Sequence, residues 1–221
     1  MPDIFDEVAD DLRAENTRRF LIRYAGVFIG GALLVLIGVG AFQAWRWHQH
    51  RLEMRAGAQY LAITSRIDAA GTGLTKATRL NEAKTLLNFA KSAPAGYATL
   101  ARFRAAALYA DAGAMKQAEA LWTRIGSSGH AGPLMRDLAT LLWAQHAMGI
   151  TDPNTVMARL QPVMNPANPM HDMAQLLGAV VDLRIHQEHA AKSLLERVSI
   201  DPEAPPGVRN LADGLLAKLN G

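Results

Sequence analysis

Residues 24–45 carry no charge and a single strongly polar side chain, Gln43. At about 1.5 Å per residue, a helix of that length covers roughly 33 Å, enough to cross a bilayer hydrocarbon core of roughly 30 Å. Its middle, from Ile29 through Ile37, is apolar on every side, whereas a helix on the surface of a water-soluble domain keeps a polar face. Arg23 and Tyr24 at one end, and Trp45, Arg46 and Trp47 at the other, would place rings at headgroup depth and guanidinium groups beyond them. A single membrane anchor over residues 24–45 is therefore expected, with a tail of residues 1–23 on one side and a domain of residues 46–221 on the other. A cleaved leader would also be apolar, and Val39 and Ala41 ahead of Phe42 would suit a cleavage site. Leader peptides, however, have apolar regions of about 7 to 15 residues behind a short basic start, and this run is longer and follows a mostly acidic tail. A retained anchor is the reading that fits.

Charge adds little beyond the anchor. The first 23 residues hold four Arg against six acids, net −2, leaving 19 Lys or Arg against 14 acids, net +5, in the remainder. The basic residues are scattered singly rather than clustered with aromatics, which speaks for a solvated surface and against nucleic acid. With no cysteine in the chain, disulfides, thiolate catalysis and cysteine-ligated zinc are excluded. Arg13, Arg18, Arg19 and Arg23 precede the span and Arg46, Arg51 and Arg55 follow it, a four-to-three excess that leans only slightly towards a cytoplasmic N-terminus.

Within the tail, Pro2 and Asp3 can open a short helix, Asp3 as N-cap, that would put Ile4, Phe5, Val8 and Leu12 on one face, but a frayed tail is the reading expected of so short a segment. In the span, Gly26 and Gly30 form a G-x-x-x-G pair, with Gly31, Gly38 and Gly40 as further small positions. Such a face lets a second helix approach closely, and Gly26 and Gly30 are the candidate helix-partner contact, set against simple lipid exposure because glycine is frequent in membrane helices.

After Trp47 no proline occurs until beyond Ala93, so the anchor helix is expected to run on through Leu61 and Ile67 until Gly71, Thr72 and Gly73 break it. Beyond lie Ala- and Leu-rich periodic segments separated by Gly, Pro, Asn and Ser, with no alternating β-branched run. The domain is expected to be all-α. Four segments share one spacing: Ala83, Leu87 and Ala90; Ala118, Trp122 and Ile125; Val156, Leu160 and Val163; Ala191, Leu195 and Val198, repeating at intervals of 35, 38 and 35 residues. Positions i, i+4 and i+7 lie on one helical face, so each triplet predicts a helix buried against its neighbours.

With Ala106, Tyr109 and Gly113 upstream of Ala118, Trp122 and Ile125, the second unit resembles the tetratricopeptide repeat: small residue, aromatic, turn glycine, then small, aromatic and apolar. Ala179, Ala191, Leu195 and Val198 repeat the pattern in the fourth unit, but Asp182 stands where the aromatic belongs and His186 where the glycine belongs. The first unit has a loop around Gly71 and the third a turn at Thr151, Asp152, Pro153 and Asn154. A single helix pair leaves one face bare, so successive pairs stack. The fold expected is an N-terminal transmembrane helix followed by a tetratricopeptide-like α-solenoid of about four degenerate helix pairs, with residues 205–219 as a capping helix.

The whole layout is similar to the ancillary subunit family of the SecYEG translocon: an acidic tail with E-V-x-x-D-L-R at residues 7–13, one anchor ending Trp-Arg-Trp, then degenerate repeats. This resemblance implies a bacterial inner-membrane protein, N-terminus cytoplasmic and repeat domain periplasmic, that binds Sec channel subunits and periplasmic chaperones and links translocating polypeptides to them. An envelope or division scaffold is the alternative, since a repeat fold alone does not separate the two.

No enzyme is expected, nor a cofactor or small-molecule substrate. His48 and His50 point to different faces of a helix. Asp182, His186 and His189 could share a helical side, but the histidines fall at an inter-helix turn where polar residues belong, and no metal site is assigned. Gly38 with Gly40, and Gly71 with Gly73, do not extend to a phosphate loop. Met135, Met148, Met157 and Met164 read as core fillers.

Overall fold

The computed structural model describes the backbone of residues 4–220 and, of the side chains, those of residues 26, 29–31, 33–71 and 73–220. The expected N-cap at Asp3 and the apolar face of Ile4, Phe5, Val8 and Leu12 lie outside the described residues. Two compact units, Met1–Met54 and Arg55–Gly221, make up the chain. No strand occurs among the described residues, which form nine α-helices.

The first helix, α1 (Ile4–Ala70), runs through both units. The tail, expected to fray or at most to form a short helix, is instead the start of this long one, because the sequence offers neither proline nor glycine between Pro2 and Gly26 to stop it. Within the first unit, Ile29, Leu33, Leu34, Val35, Leu36, Ile37, Val39, Phe42, Trp45 and Trp47 are each between 53% and 72% exposed. Apolar side chains bare on all sides of a helix suit lipid rather than water. By length and composition this is the one described helix able to cross a membrane. At the end of the apolar run Arg51 lies over the Trp47 ring at 3.8 Å and Arg46 over Phe42 at 5.8 Å, cation–π pairs suited to an interface.

In the second unit every break has a local cause. Gly71, at φ +50°, leads α1 into the 3₁₀ turn Gly71–Gly73. The Thr75 hydroxyl accepts the Thr78 N–H at 3.2 Å and opens α2 (Lys76–Ser92). Pro94 holds Ala93 extended and separates α2 from α3 (Ala95–Asp111). Gly113, at φ +72°, turns the chain into α4 (Met115–Gly126). Pro133 opens α5 (Pro133–Ala147), and Asp152 caps α6 (Pro153–Leu160) by accepting Thr155 N–H at 3.0 Å with Pro153 in the first turn. After a run of turns come α7 (His171–Arg184), α8 (Glu188–Ile200) and α9 (Pro206–Asn220), the last matching the expected cap.

The four triplets fall on α2, on α4, on α6 with the turn after it, and on α8. Eleven of their twelve side chains are buried; Leu87 is half-buried. Tyr60, from the domain part of α1, packs near Phe89 and Tyr97, and Ile67 joins the core beneath. Helices α1–α7 share a large core centred on Trp122, Ile125, Leu86 and Leu160, while a smaller one gathers Leu176, Ala179, Leu195, Val198 and Val208 from α7–α9. The second unit is thus an α-solenoid of stacked helix pairs with a terminal helix. Met148, Met157 and Met164 pack against the larger core, and the Met164 methyl lies where a Cβ on Gly178 would sit.

Candidate functional site

A recess of about 440 Å³ opens between α3 and α5 over α4. Leu100, Phe103, Ala107 and Ala110 share one face of α3 by their three- and four-residue spacing. Met135, Leu138, Leu142 and His146 do the same on α5, and Trp122 forms the floor. His146 lies against Trp122 with ring centroids 4.7 Å apart. Its Nδ1 is 2.8 Å from the Leu142 carbonyl, an acceptor only, so Nδ1 carries the proton. The Trp122 indole N–H is buried and finds no acceptor among the described residues. A buried donor left unpaired costs about 1–3 kcal/mol, so the site is held by packing around the ring, not by its polar atom. Asp111 and His146 are the polar members of a lining that is otherwise apolar, and such walls suit the side chains of another polypeptide.

The family described as tetratricopeptide repeat-like domain matches residues 18–136, more than half of the chain. This protein belongs to the tetratricopeptide repeat-like domain family. Domains of this family are typically protein-interaction modules, and no catalytic family is indicated. No curated protein and no solved structure matches the chain.

Within the repeat-like domain, Ala106, Ala118, Trp122 and Ile125 are at most 2% exposed and Tyr109 is buried beside them, while Gly113 occupies the turn. Of these six only Trp122 reaches the recess. Spacing marks the core but does not distinguish core from recess, since Leu100, Phe103 and Leu138 follow the same helical period. Gly26 is exposed and Gly30 half-buried, and a Cβ on either would meet no atom within 4 Å.

A second recess, about 320 Å³, is cationic: Lys91, Arg102 and Arg124 line it with His130, Thr99 and Ser128. Burial, then the charge of Arg124, holds the Arg102 guanidinium below its usual pKa. Arg159, buried enough for its pKa to fall, stacks over Trp143 at 4.1 Å and donates to the Thr123 hydroxyl at 3.2 Å, tying α6 to α4 and α5.

The histidine-containing groupings differ from those read in the sequence. His48 and His50 are exposed on α1. Asp182 lies buried on α7, His186 turns out of it, and His189 begins α8, so the three share no helical side. His171, Asp172 and Asp201 are the group that converges, their ligand atoms within 4.8 Å of one another. Asp201 is 29 residues beyond Asp172, brought back by the α7–α8 hairpin, and no local spacing signals the juxtaposition. Burial pushes the Asp172 carboxyl up, against the opposing charge of His171. The Glu203 backbone N–H holds Asp201 down. Burial also works against a charged His171, but its bond to Asn168 and the two carboxylates outweigh that and raise it.

Proposed function

We propose that this protein is a membrane-anchored binding adaptor of the Sec translocon that passes translocating polypeptides to periplasmic chaperones, its tail cytoplasmic and residues 46–221 periplasmic. The observation that carries the reading is the apolar recess over Trp122, which offers an emerging chain somewhere to place apolar side chains before they are buried in its own fold. The one described helix apolar enough to span a membrane, and the tail pattern at residues 7–13, support the membrane setting. An anchor beside the channel raises the domain's local concentration there, so a weak groove contact becomes occupied. Gly26 and Gly30 provide the small face for that lateral contact.

The test places a photo-crosslinking residue at Phe103 or Leu138 of the full-length protein in cells and identifies what it captures. Translocating precursors and periplasmic chaperones are expected, together with Sec channel subunits in detergent pull-downs, and Gly26→Leu with Gly30→Leu should reduce channel recovery. Capture of division or cell-wall proteins instead would replace the adaptor by an envelope scaffold. A protease added to spheroplasts should digest the domain, and full protection there would reverse the orientation.

A further inference from the structure

Between α6 and α7 the chain is folded on its own asparagines. Asn165 Oδ1 accepts Ala167 N–H at 2.9 Å, Asn168 Oδ1 accepts Met170 N–H at 2.8 Å, and the Asn168 amide donates to Asp137 Oδ2 at 2.9 Å. The Asn168 carbonyl, fixed by these bonds, lies 2.8 Å from His171 Nδ1 and accepts its hydrogen bond, so the proton sits on Nδ1. In the neutral ring Nε2 then carries the lone pair. It faces Asp172 Oδ1 at 3.4 Å and Asp201 Oδ2 at 3.5 Å. Asp201 Oδ1 is occupied by Glu203 N–H at 2.8 Å, which leaves Oδ2 to turn inward.

Asp172 points to a ligand independently of that grouping. Its side chain is only 7% exposed, and outside the cluster no group among the described residues donates to its carboxylate. A carboxylate so withdrawn from water needs a cation or a set of donors. An imidazolium could be that cation, but its single Nε2–H, turned to Asp201, leaves Asp172 no donor of its own, and both separations exceed the roughly 2.7–2.9 Å of a charge-assisted hydrogen bond. They are close instead to the ligand-to-ligand edge, about 3.3 Å, of a tetrahedron whose centre is about 2.0–2.1 Å from nitrogen and oxygen ligands, and the third pair, Asp172 with Asp201, lies within 4.8 Å.

We propose that His171 Nε2, Asp172 Oδ1 and Asp201 Oδ2 bind one divalent transition-metal ion of the Zn²⁺ type, the fourth position being filled by water. The two carboxylates neutralise the ion, and the Asn168 carbonyl holds the imidazole in the tautomer and orientation that metal-bound histidines need. One imidazole with two carboxylates suits a borderline ion better than Mg²⁺ or Ca²⁺, which take six or more oxygen ligands. Bound there, the ion clips the start of α7 to the link between α8 and α9.

The experiment uses untagged full-length protein in detergent, stripped with a chelator, titrated with ZnCl₂ by calorimetry and followed by thermal unfolding. One Zn²⁺ per chain is expected, with Tm raised by roughly 5 to 10 °C at free Zn²⁺ a hundredfold above Kd. Asp201→Asn, on a partly exposed link, and His171→Gln should each lower affinity at least about tenfold, and circular dichroism of the stripped variants checks that both fold. MgCl₂ at equal concentration should leave Tm unchanged. No saturable Zn²⁺ binding, undiminished binding in Asp201→Asn, or an equal response to Mg²⁺ would each overturn the site, the first leaving an imidazolium held between two carboxylates.

Discussion

Residues 109–114 and 182–187 make the same turn, built on a glycine in one hairpin and on a histidine in the other. After α3, Gly113 N–H bonds back to the Ala110 carbonyl at 2.9 Å and Ala114 N–H to Tyr109 at 2.8 Å. After α7, His186 N–H bonds to Leu183 at 3.2 Å and Gln187 N–H to Asp182 at 2.9 Å. Gly113 has φ +72° and His186 φ +58°, the only positive φ of a non-glycine among the described residues. Both are Schellman ends, in which crossed bonds satisfy the last carbonyls of a helix. The turn is therefore specified by the packing on either side of it: Ala118, Trp122 and Ile125 follow one, Ala191, Leu195 and Val198 the other, and all six are at most 2% exposed. The glycine makes the turn easier without being required for it.

The comparison can be broken most forcefully at its largest side chain. Trp122→Ala should lower unfolding free energy by about 3–5 kcal/mol, measured by urea denaturation of the protein in detergent; Trp122→Phe, which also removes the orphaned N–H, should lose less. An unchanged midpoint for the alanine variant would mean that Trp122 does not hold the α3–α4 hairpin. Leu195→Ala, the matching site in the α7–α8 hairpin, should lose about 2–4 kcal/mol. A loss as large as that of Trp122→Ala would make the two hairpins energetically alike.

The turn residues come next, with opposite signs. Gly113→Ala forces a Cβ into the left-handed region and should cost about 1 kcal/mol, while His186→Gly relieves the same strain and should gain up to about 1 kcal/mol. Thermal melts that move in the same direction would show that His186 is held by more than its turn.

The smallest effect is expected at Asp182, the counterpart of Tyr109. Burial raises its folded pKa above the ordinary 3.8. Its contribution to stability is therefore complete below that ordinary value and is lost as pH rises through the folded one. Asp182→Asn should accordingly be more stable than the native chain near pH 7, with the advantage shrinking as pH falls towards 3.8. An advantage independent of pH would tie the effect to packing, not ionisation.

The sequence made the helix breaks legible because each is chemically marked: Gly71, Pro94, Gly113, and Asp152 with Pro153. The buried triplets were equally legible, since a three-and-four spacing admits few other meanings in an Ala- and Leu-rich segment. Leu87 shows the limit, holding the same place in its triplet as Trp122 yet remaining half-buried. The recess was hidden for a related reason, because Phe103 and Leu138 obey the same period as the core beneath them. His171 with Asp201 was hidden by distance along the chain. The tail reads as frayed or as a short helix because its charged residues end before the apolar run, whereas the backbone continues through both.

Helix α7 belongs to two cores at once. Ala174 and Val181, seven apart, join the larger one, and Leu176 and Ala179 the smaller. Order of opening follows from this division: α8 and α9 can unzip, exchanging their amide hydrogens with solvent, at the cost of the smaller core alone. Every wall of the apolar recess comes from α3, α4 and α5, none of which takes part in that event. A nick in the link after Arg184 would then shorten the chain while leaving a seated partner in place.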